Sequence, residues 1–395
     1  MLTSIAMILL LGLIVGCVFQ KMKMPSLIGM ILVGILISPY ALNLLDDTML
    51  LIAKDVRQIA LVIILTRAGL SLNINDLKKI GRPAILMCFV PACFEIIGVM
   101  ILAPLFFDVT IIEAMLIGSV IAAVSPAVIV PRMIRLIDQG YGKERSIPQL
   151  ILAGASVDDV FVIVVFTALT TLVSTGEFVV TSFIQIPISI VLGILLGIIV
   201  GLMFIWFFKK FTIRDTIKVI ILISVSFLLL EVQTRLENVI LVSGLLAIMS
   251  MGMVIKLYDE PLAKRLANKY NKLWLGAEVF LFVLVGATVN MKYALTLGFG
   301  SIVLVVLSLL FRMFGVYLSL FKTPLSTKEK LFCMIAYTPK ATVQAAIGAI
   351  PLSLGLACGE LVLTVAVVSI LITAPFGAIC IDNLYDKLLD SNVNM

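Results

Sequence analysis

The stretch AGASVDDV at residues 153–160 places two adjacent aspartates, Asp158 and Asp159, inside an otherwise uncharged segment. That segment runs from Ile147 to Val173 and is long enough to cross a hydrocarbon core of ~30 Å as a helix. A charged side chain at the centre of a bilayer costs at least ~2.5–3.5 kcal/mol, so such residues persist mainly where they face a polar cavity or one another. The stretch therefore predicts a polar site within a membrane.

The composition of the whole chain agrees with a membrane protein. Its 395 residues are 62% hydrophobic and 13% charged, with a mean hydropathy of +1.22, whereas soluble chains carry about 25% charged residues. This excludes a soluble enzyme, a nucleic-acid-binding protein and a disulfide-stabilised scaffold, and the six scattered cysteines are expected to be buried, reduced thiols. Because the chain has no histidine, proton chemistry near neutral pH must use carboxylates or a lysine.

Hydropathy predicts an all-α polytopic membrane protein with thirteen transmembrane helices in one membrane domain. If the N-terminus is outside, 22 of the 29 lysines and arginines fall in cytoplasmic loops and four fall outside, as the positive-inside rule requires. We therefore expect a multi-pass protein of the plasma membrane, with the N-terminus outside and the C-terminus in the cytoplasm. The predicted spans are 2–20, 24–45, 52–72, 83–107, 110–131, 147–173, 183–208, 216–235, 238–256, 273–291, 295–321, 329–351 and 360–382.

Five charged residues fall deep within these spans: the acids Glu95, Asp158 and Asp159 and the bases Arg312 and Lys340. The set carries one formal negative charge in excess, which one proton or one monovalent cation would neutralise. Neighbouring residues on a helix point about 100° apart, so the two aspartates can have different partners. Two poorly solvated adjacent carboxylates cannot both be fully ionised near neutral pH, and at least one of them is a candidate proton carrier.

Two proline motifs predict interrupted helices. Span five contains AAVSPAVIVP (residues 122–131) with Pro126, and span twelve contains AYTPKATVQ (residues 336–344) with Pro339. Proline removes a helix donor and clashes with the preceding turn, and backbone freed in this way is tolerated in a membrane only where it lines protein or a cavity. The two motifs lie in oppositely oriented spans, which is typical of inverted-repeat transporters with a midplane site. The predicted repeats are spans 4–6 and 11–13.

Structural alternatives exist for each of these features. Glu95 and Lys340 can form a purely structural ion pair, and the two aspartates can serve only interhelical hydrogen bonds. Each proline motif by itself can be a mere kink. Arg67 and Glu278 lie near cytoplasmic helix ends, where they are expected to be interfacial anchors or a mutual ion pair.

The chain resembles the monovalent cation/proton antiporter superfamily, and most closely its sodium/proton antiporter NHA branch, over nearly its whole length. The most specific motifs are SVDD (156–159), VSPA (124–127) and TPKATVQAA (338–346), with weaker support from PSLIG (25–29) and RAGL (67–70). The resemblance implies the sodium/proton antiporter fold, with inverted repeats and two crossed, broken helices. It also implies a homodimer in which a mobile core (approximately 83–173 and 295–382) moves against dimerisation helices (approximately 1–72 and 183–291).

The resemblance also implies roles for individual residues. Asp159 matches the ion-coordinating carboxylate of the family, Asp158 is its neighbour, and Ser125 matches a polar ligand on the broken helix. Arg312 matches the base that pairs with the acidic motif when no cation is bound, although many double-aspartate antiporters have a titratable lysine there. Glu95 and Lys340 resemble a further ion pair of the NHA branch. Carbonyls freed at the span-five break are expected to complete the cation's oxygen ligands.

The leading hypothesis is therefore a transporter, not an enzyme, that exchanges protons for Na⁺ or Li⁺ by alternating access at the two aspartates. A K⁺/H⁺ antiporter of the same superfamily is the alternative, although the chain has no room for the nucleotide-binding regulatory domain usual in potassium efflux systems. A cation channel and an intramembrane aspartyl protease are alternatives from other classes, but the protease needs aspartates on separate spans. No cofactor is expected beyond the transported ions, and the expected partners are the lipid bilayer and a second copy of the chain.

Overall fold

The computed structural model describes residues 1–22, 24–71, 81–142, 144–175, 180–236 and 242–390, and these contain α-helices and no β-strand. The basic residues Lys23, Lys78, Lys79 and Lys143, which were assigned to cytoplasmic loops, lie outside the described residues. In chain order the helices are α1 (Leu2–Lys21), α2 (Ser26–Ile37), α3 (Asp47–Leu51), α4 (Ala53–Ser71), α5 (Arg82–Met87), α6 (Val90–Phe106), α7 (Ile111–Ile121), α8 (Pro126–Asp138), α9 (Ile147–Thr175), α10 (Val180–Lys210), α11 (Asp215–Leu236), α12 (Gly244–Tyr258), α13 (Glu260–Ala287), α14 (Met291–Ser319), α15 (Thr327–Ala336), α16 (Thr342–Ile347), α17 (Ile350–Ser353) and α18 (Gly359–Leu388).

The predicted all-helical membrane architecture is confirmed. Among the described residues, seven helical segments are long and apolar enough to cross a membrane: α1, α5 with α6, most of α9, α10 from Val191, α13, α14 from Leu297, and α18. Shorter apolar helices include α2, α7, α12 and the α16–α17 pair. The count of thirteen spans stays a prediction.

The chain forms two compact units. The first comprises residues 1–54, 74–174 and 282–395, and the second comprises residues 55–73 and 175–281. The assignment of a mobile core and a dimerisation region to parts of the chain stays a prediction.

In the first unit, α6 and α14 pack closely along their length. Glycines permit this approach, because a Cβ atom on Gly98 would lie 2.6 Å from Phe311 Cγ and one on Gly315 would lie 2.8 Å from Pro91 Cα. Helices α2 and α13 cross just as tightly near Gly34 and Gly286. A buried apolar cluster that contains Val124, Ile151, Ala155, Val316 and Tyr337 then joins α9 and α14 to the segments that follow α7 and α15.

In the second unit, α10 packs against α12 through Gly193, Gly197 and Gly201, which lie one turn apart on the same face of α10. A Cβ atom on Gly197 would lie 2.3 Å from the Ala247 carbonyl oxygen. Arg67 and Glu278 also belong to this unit. They lie close enough to interact electrostatically but form no ion pair within 4 Å of each other.

Two helices differ in extent from the predicted spans. Span ten was expected to begin at residue 273, but α13 begins at Glu260, whose carboxylate accepts ion pairs from Lys256 at 3.0 Å and Lys264 at 3.1 Å. Lys256 belongs to α12, but Lys264 lies one turn along α13, and its pair with Glu260 supports a helix in a segment that its charges had marked as a loop. Span four was expected to be continuous over 83–107, but the helix is interrupted between α5 and α6, just before Pro91, which has no backbone N–H to donate.

Candidate functional site

The chain is interrupted at both proline motifs, and the two interruptions touch. Helix α7 ends at Ile121 and α8 begins at Pro126, while α15 ends at Ala336 and α16 begins at Thr342. The Ser125 backbone N–H donates a 2.8 Å hydrogen bond to the Pro339 carbonyl oxygen. Pro126 occupies the first turn of α8, where a missing N–H costs nothing. Below, residues 122–125 are the first break and residues 337–341 are the second break.

Arg312, on α14, connects the buried acids to both breaks. Its guanidinium lies 2.8 Å from Asp158 Oδ2 and 3.1 Å from Glu95 Oε2, and all three side chains are fully buried. It also donates to the carbonyl oxygen of Tyr337, at 2.6 Å, and to that of Ala122. The planar fork of arginine donors suits this four-way arrangement in a way that a lysine ammonium does not.

Lys340 lies within the second break and is fully buried. Its ammonium lies 2.8 Å from the Glu95 carboxylate and donates to the Ile121 carbonyl oxygen at the end of α7. Its backbone N–H donates at 2.9 Å to the hydroxyl of Thr373 on α18. The expected pair of Glu95 with Lys340 is therefore present, and Arg312, which was expected to pair with the acidic motif, pairs with Asp158. Arg312 joins the two pairs through Glu95.

The two aspartates differ in their partners. Asp158 Oδ2 accepts the Arg312 bond and a 2.8 Å bond from the Val124 N–H in the first break. Asp159 forms no ion pair within 4 Å among the described residues. The other carboxylate oxygen of Asp158, one oxygen of Asp159 and the hydroxyl of Ser125 are buried without a hydrogen-bond partner. An unpartnered buried oxygen costs roughly 1–3 kcal/mol, so a cation or proton bound to these atoms would recover energy.

The charges of the site leave Asp159 in excess. Arg312 and Lys340 are engaged by Asp158 and Glu95, which balances two positive against two negative charges. Asp159 interacts electrostatically with Arg312 but has no cationic partner within 4 Å in the part of the chain that the structure describes. One proton or one monovalent cation at Asp159 would neutralise the site.

The prediction that freed carbonyls near the first break ligate the cation stays a prediction, but three of these carbonyls accept hydrogen bonds from side chains of the site. The carbonyl oxygens of Ile121, Ala122 and Ala123 accept hydrogen bonds from Lys340, Arg312 and Gln344, respectively. These donors offset the partial negative charge at the carbonyl end of α7. The sequence marks Arg312 and Lys340 by their charge, but it does not show which backbone carbonyls accept their hydrogen bonds.

Several neutral residues of the site were missed from the sequence. Gln344 lies inside the quoted second motif, so its position was available, but nothing marked it as a contact to the first break. Thr373 supports Lys340, and the Ser308 hydroxyl donates to Glu95 at 3.3 Å. The Tyr337 ring lies 5.5 Å from the Arg312 guanidinium carbon. Serine and threonine are common in membrane helices, so no sequence signal singled out Thr373 or Ser308.

Comparison with known proteins places the chain in a family. Residues 6–384 match the family model described as "Sodium/hydrogen exchanger, transmembrane". The chain is 33% identical over 385 residues to sodium/hydrogen exchanger 9B2 of Homo sapiens, covering 93% of this chain and 70% of that protein. It is 31% identical over 387 residues to human sodium/hydrogen exchanger 9B1, covering 93% of this chain and 73% of the relative.

A solved structure shows a similar fold. The sodium proton antiporter MjNhaP1 from Methanocaldococcus jannaschii superimposes with a TM-score of 0.85 at 20% identity, and the match covers 97% of each chain. This likeness concerns the fold alone. Because the family model covers nearly the whole chain and the relatives align over most of their length, the protein belongs to the transmembrane sodium/hydrogen exchanger family: it is a multi-pass cation/proton antiporter, a transporter and not an enzyme.

Proposed function

We propose that the protein exchanges protons for Na⁺ or Li⁺ at a site formed by Asp159, Asp158 and Ser125. In this mechanism a cation and a proton compete for the Asp159 carboxylate, so binding of one requires release of the other. Competition for one carboxylate prevents a futile leak of either ion. Asp158 and Ser125 supply further oxygen ligands, and hard monovalent and divalent cations prefer oxygen.

The observation that carries the proposal is the contrast between Asp159 and the other deep acids. Glu95 and Asp158 each have a cationic partner within 3.1 Å, whereas Asp159 has none within 4 Å among the described residues. A carboxylate without a counter-ion in a low-dielectric setting is stabilised by whichever small cation reaches it. The unpartnered oxygens of Asp158 and Ser125 support the same assignment.

The Asp158–Arg312 pair belongs to the cation-free state in this mechanism. Its 2.8 Å contact stabilises the charged Asp158 when no ion is bound. When a cation binds to Asp159, Asp158 turns its free oxygen toward the ion, and the contact with Arg312 weakens. Binding then favours one population of the transporter over another.

The proposed transporter has three architectural features. The two breaks form a crossed pair of interrupted helices within thirteen spans, and the core that carries them exposes the site alternately to the two sides. Two copies form a homodimer through the remaining helices. The N-terminus is outside, the C-terminus is cytoplasmic, and the plasma membrane is the expected location, because positive charge concentrates in the loops assigned to the cytoplasm.

The test is ion exchange in proteoliposomes. Purified protein is reconstituted with a preformed proton gradient, and gradient dissipation is recorded after addition of Na⁺, Li⁺ or K⁺, with and without an imposed membrane potential. We expect Na⁺ and Li⁺ to dissipate the gradient. A response to K⁺ alone would support the K⁺/H⁺ alternative and refute the sodium assignment.

A matched pair of variants then tests the site. Asp159→Asn removes the unpaired carboxylate and should abolish both exchange and Na⁺-induced thermal stabilisation in a folded protein. Asp108→Asn is the same substitution at an exposed position before α7 and should leave both unchanged. An Asp159→Asn protein that exchanges Na⁺ at the wild-type rate would refute the assignment of the site.

A further inference from the structure

Gln344, on α16, is fully buried and holds a backbone carbonyl of the first break. Its side-chain Nε2 donates at 2.8 Å to the Ala123 carbonyl oxygen and lies 3.4 Å from that of Ile121. Rotating the amide by half a turn would place Oε1 against these two carbonyl oxygens, so the orientation of the amide is fixed. Oε1 itself has no hydrogen-bond partner.

The peptide that Gln344 holds also contacts the aspartate site. The Ala123 carbonyl and the Val124 N–H belong to one peptide unit, and the Val124 N–H donates at 2.8 Å to Asp158 Oδ2. In a trans peptide the C=O and N–H groups point in opposite directions, and the described residues contain no cis peptide. Hydrogen bonds therefore hold this peptide unit on both sides. Its N–H points toward Asp158, and its carbonyl oxygen points away from Asp158 toward Gln344.

We propose that Gln344 is a positioning residue that sets the cation selectivity of the exchanger. By holding the Ala123 carbonyl away from Asp158, it keeps one strong oxygen ligand out of the coordination shell of the transported ion. The number and field strength of carbonyl ligands distinguish K⁺ from Na⁺ in protein sites. A site with fewer oxygens favours the small ions, which bind a carboxylate strongly with few ligands.

Loss of the Gln344 donor leaves the peptide held at one edge only, by the Val124 N–H bond to Asp158, so the peptide rotates more readily. The Ala123 carbonyl oxygen then becomes available to an ion at the aspartates, and larger cations gain a ligand. Arg312 and Lys340 donate to the carbonyls of Ala122 and Ile121, but substitution of either also changes the charge of the site. Gln344 is neutral, so its substitution isolates the effect of the carbonyl from the effect of charge.

The experiment compares Gln344→Met with wild-type protein in proteoliposomes. Methionine keeps the length of the side chain and removes the donors, and no acceptor bond is lost because Oε1 has no partner. The half-saturating concentrations of Na⁺ and K⁺ are measured at one pH, together with thermal stabilisation by each ion in detergent. Gln149→Met is the matched control, since Gln149 precedes Asp158 on α9 by nine residues and lies outside the site.

We expect the preference for Na⁺ over K⁺ to fall severalfold in Gln344→Met and to stay at the wild-type ratio in Gln149→Met. A purely structural role for Gln344 would lower the melting temperature and the maximal rate without changing this ratio. If Gln344→Met does not fold, Gln344→Asn provides the same test, because its amide is one methylene too short to reach the Ala123 carbonyl. An unchanged ratio in a folded variant of either kind would overturn the inference.

The inference rests on the proposed function, and the two fail in different ways. If wild-type protein does not exchange Na⁺, the proposed function is refuted whatever the variants do. If wild-type protein exchanges Na⁺ and the variants keep its selectivity, the proposed function stands and the role of Gln344 alone is refuted.

Discussion

The Glu95 carboxylate lies 2.8 Å from the Lys340 ammonium, and neither side chain is exposed to solvent. Arg312 approaches the same carboxylate at 3.1 Å. Glu95 therefore has two cationic partners, whereas Lys340 has one anionic partner among the described residues. Because Glu95 keeps a cationic partner when Lys340 is removed, whereas Lys340 loses its anionic partner when Glu95 is removed, substitutions of the two residues are expected to differ in their cost.

We expect Glu95→Gln to destabilise the protein more than Lys340→Met. Removing Glu95 leaves the Lys340 charge buried without an anion, which costs roughly 3–5 kcal/mol. Removing Lys340 leaves Glu95 paired with Arg312, so the cost is smaller. Melting in detergent of both single variants and of the double variant measures the coupling, and strictly additive effects would show that the pair is not coupled.

Arg312→Lys should cost stability and alter the pH response. A lysine ammonium cannot reach Asp158, Glu95 and two backbone carbonyls together, so at least one buried acceptor loses its donor. A lysine ammonium can also lose its proton at high pH, so the plot of exchange rate against pH should show an additional change at its alkaline end. The control is Arg235→Lys, whose side chain is 78% exposed and pairs with Glu231 one turn away. Equal melting temperatures for the two variants would contradict the prediction.

Asp46 should contribute nothing to the pH response of exchange. Hydrogen bonds from Thr48 and from the N-terminal amine lower the pKa of Asp46 from 3.8 to about 2. A carboxyl group with a lowered pKa stabilises the fold above its unfolded pKa, and this contribution is lost only as the pH falls through 4 toward 2. Asp46→Asn keeps the helix cap, and its exchange profile between pH 5 and 9 should overlie that of wild type. A shifted midpoint would show that Asp46 titrates in the working range.

Gly286→Ala should destabilise the crossing of α2 and α13. A Cβ atom on Gly286 would lie 2.2 Å from the Ile31 carbonyl oxygen, and one on Gly34 would lie 2.0 Å from that of Val283. Overpacking of this kind typically costs about 1–3 kcal/mol. Gly276→Ala, on the same helix and with no neighbouring atom within 4 Å, should instead stabilise by about 0.5–1 kcal/mol. Opposite shifts in melting temperature are the expected result.

The sequence predicted the charged part of the site because deep charges are costly and therefore conspicuous. Glu95, Arg312 and Lys340 stood out against apolar surroundings, and the structure joins them as ion pairs. The prolines marked both interruptions because their effect on a helix is local. The roles of Asp159 and Ser125 in ion binding stay predictions.

The rest depended on contacts between residues far apart in the chain. No local pattern indicates that Gln344 holds the Ala123 carbonyl or that Thr373 supports Lys340, since neutral polar residues occur throughout membrane helices. The start of α13 was missed for a different reason. Charge and hydropathy locate membrane borders, but helix propensity and i,i+4 pairs continue a helix beyond the apolar stretch.

The bonds that satisfy the first break have a consequence for biosynthesis. Its carbonyls at Ala122 and Ala123 are capped by side chains that lie 190 and 221 residues further along the chain. While the ribosome is still producing the intervening helices, these polar groups have no native partner inside the membrane. The native hydrogen bonds of the first break can therefore form only after residue 344 has been synthesised, when most of the chain has already been made.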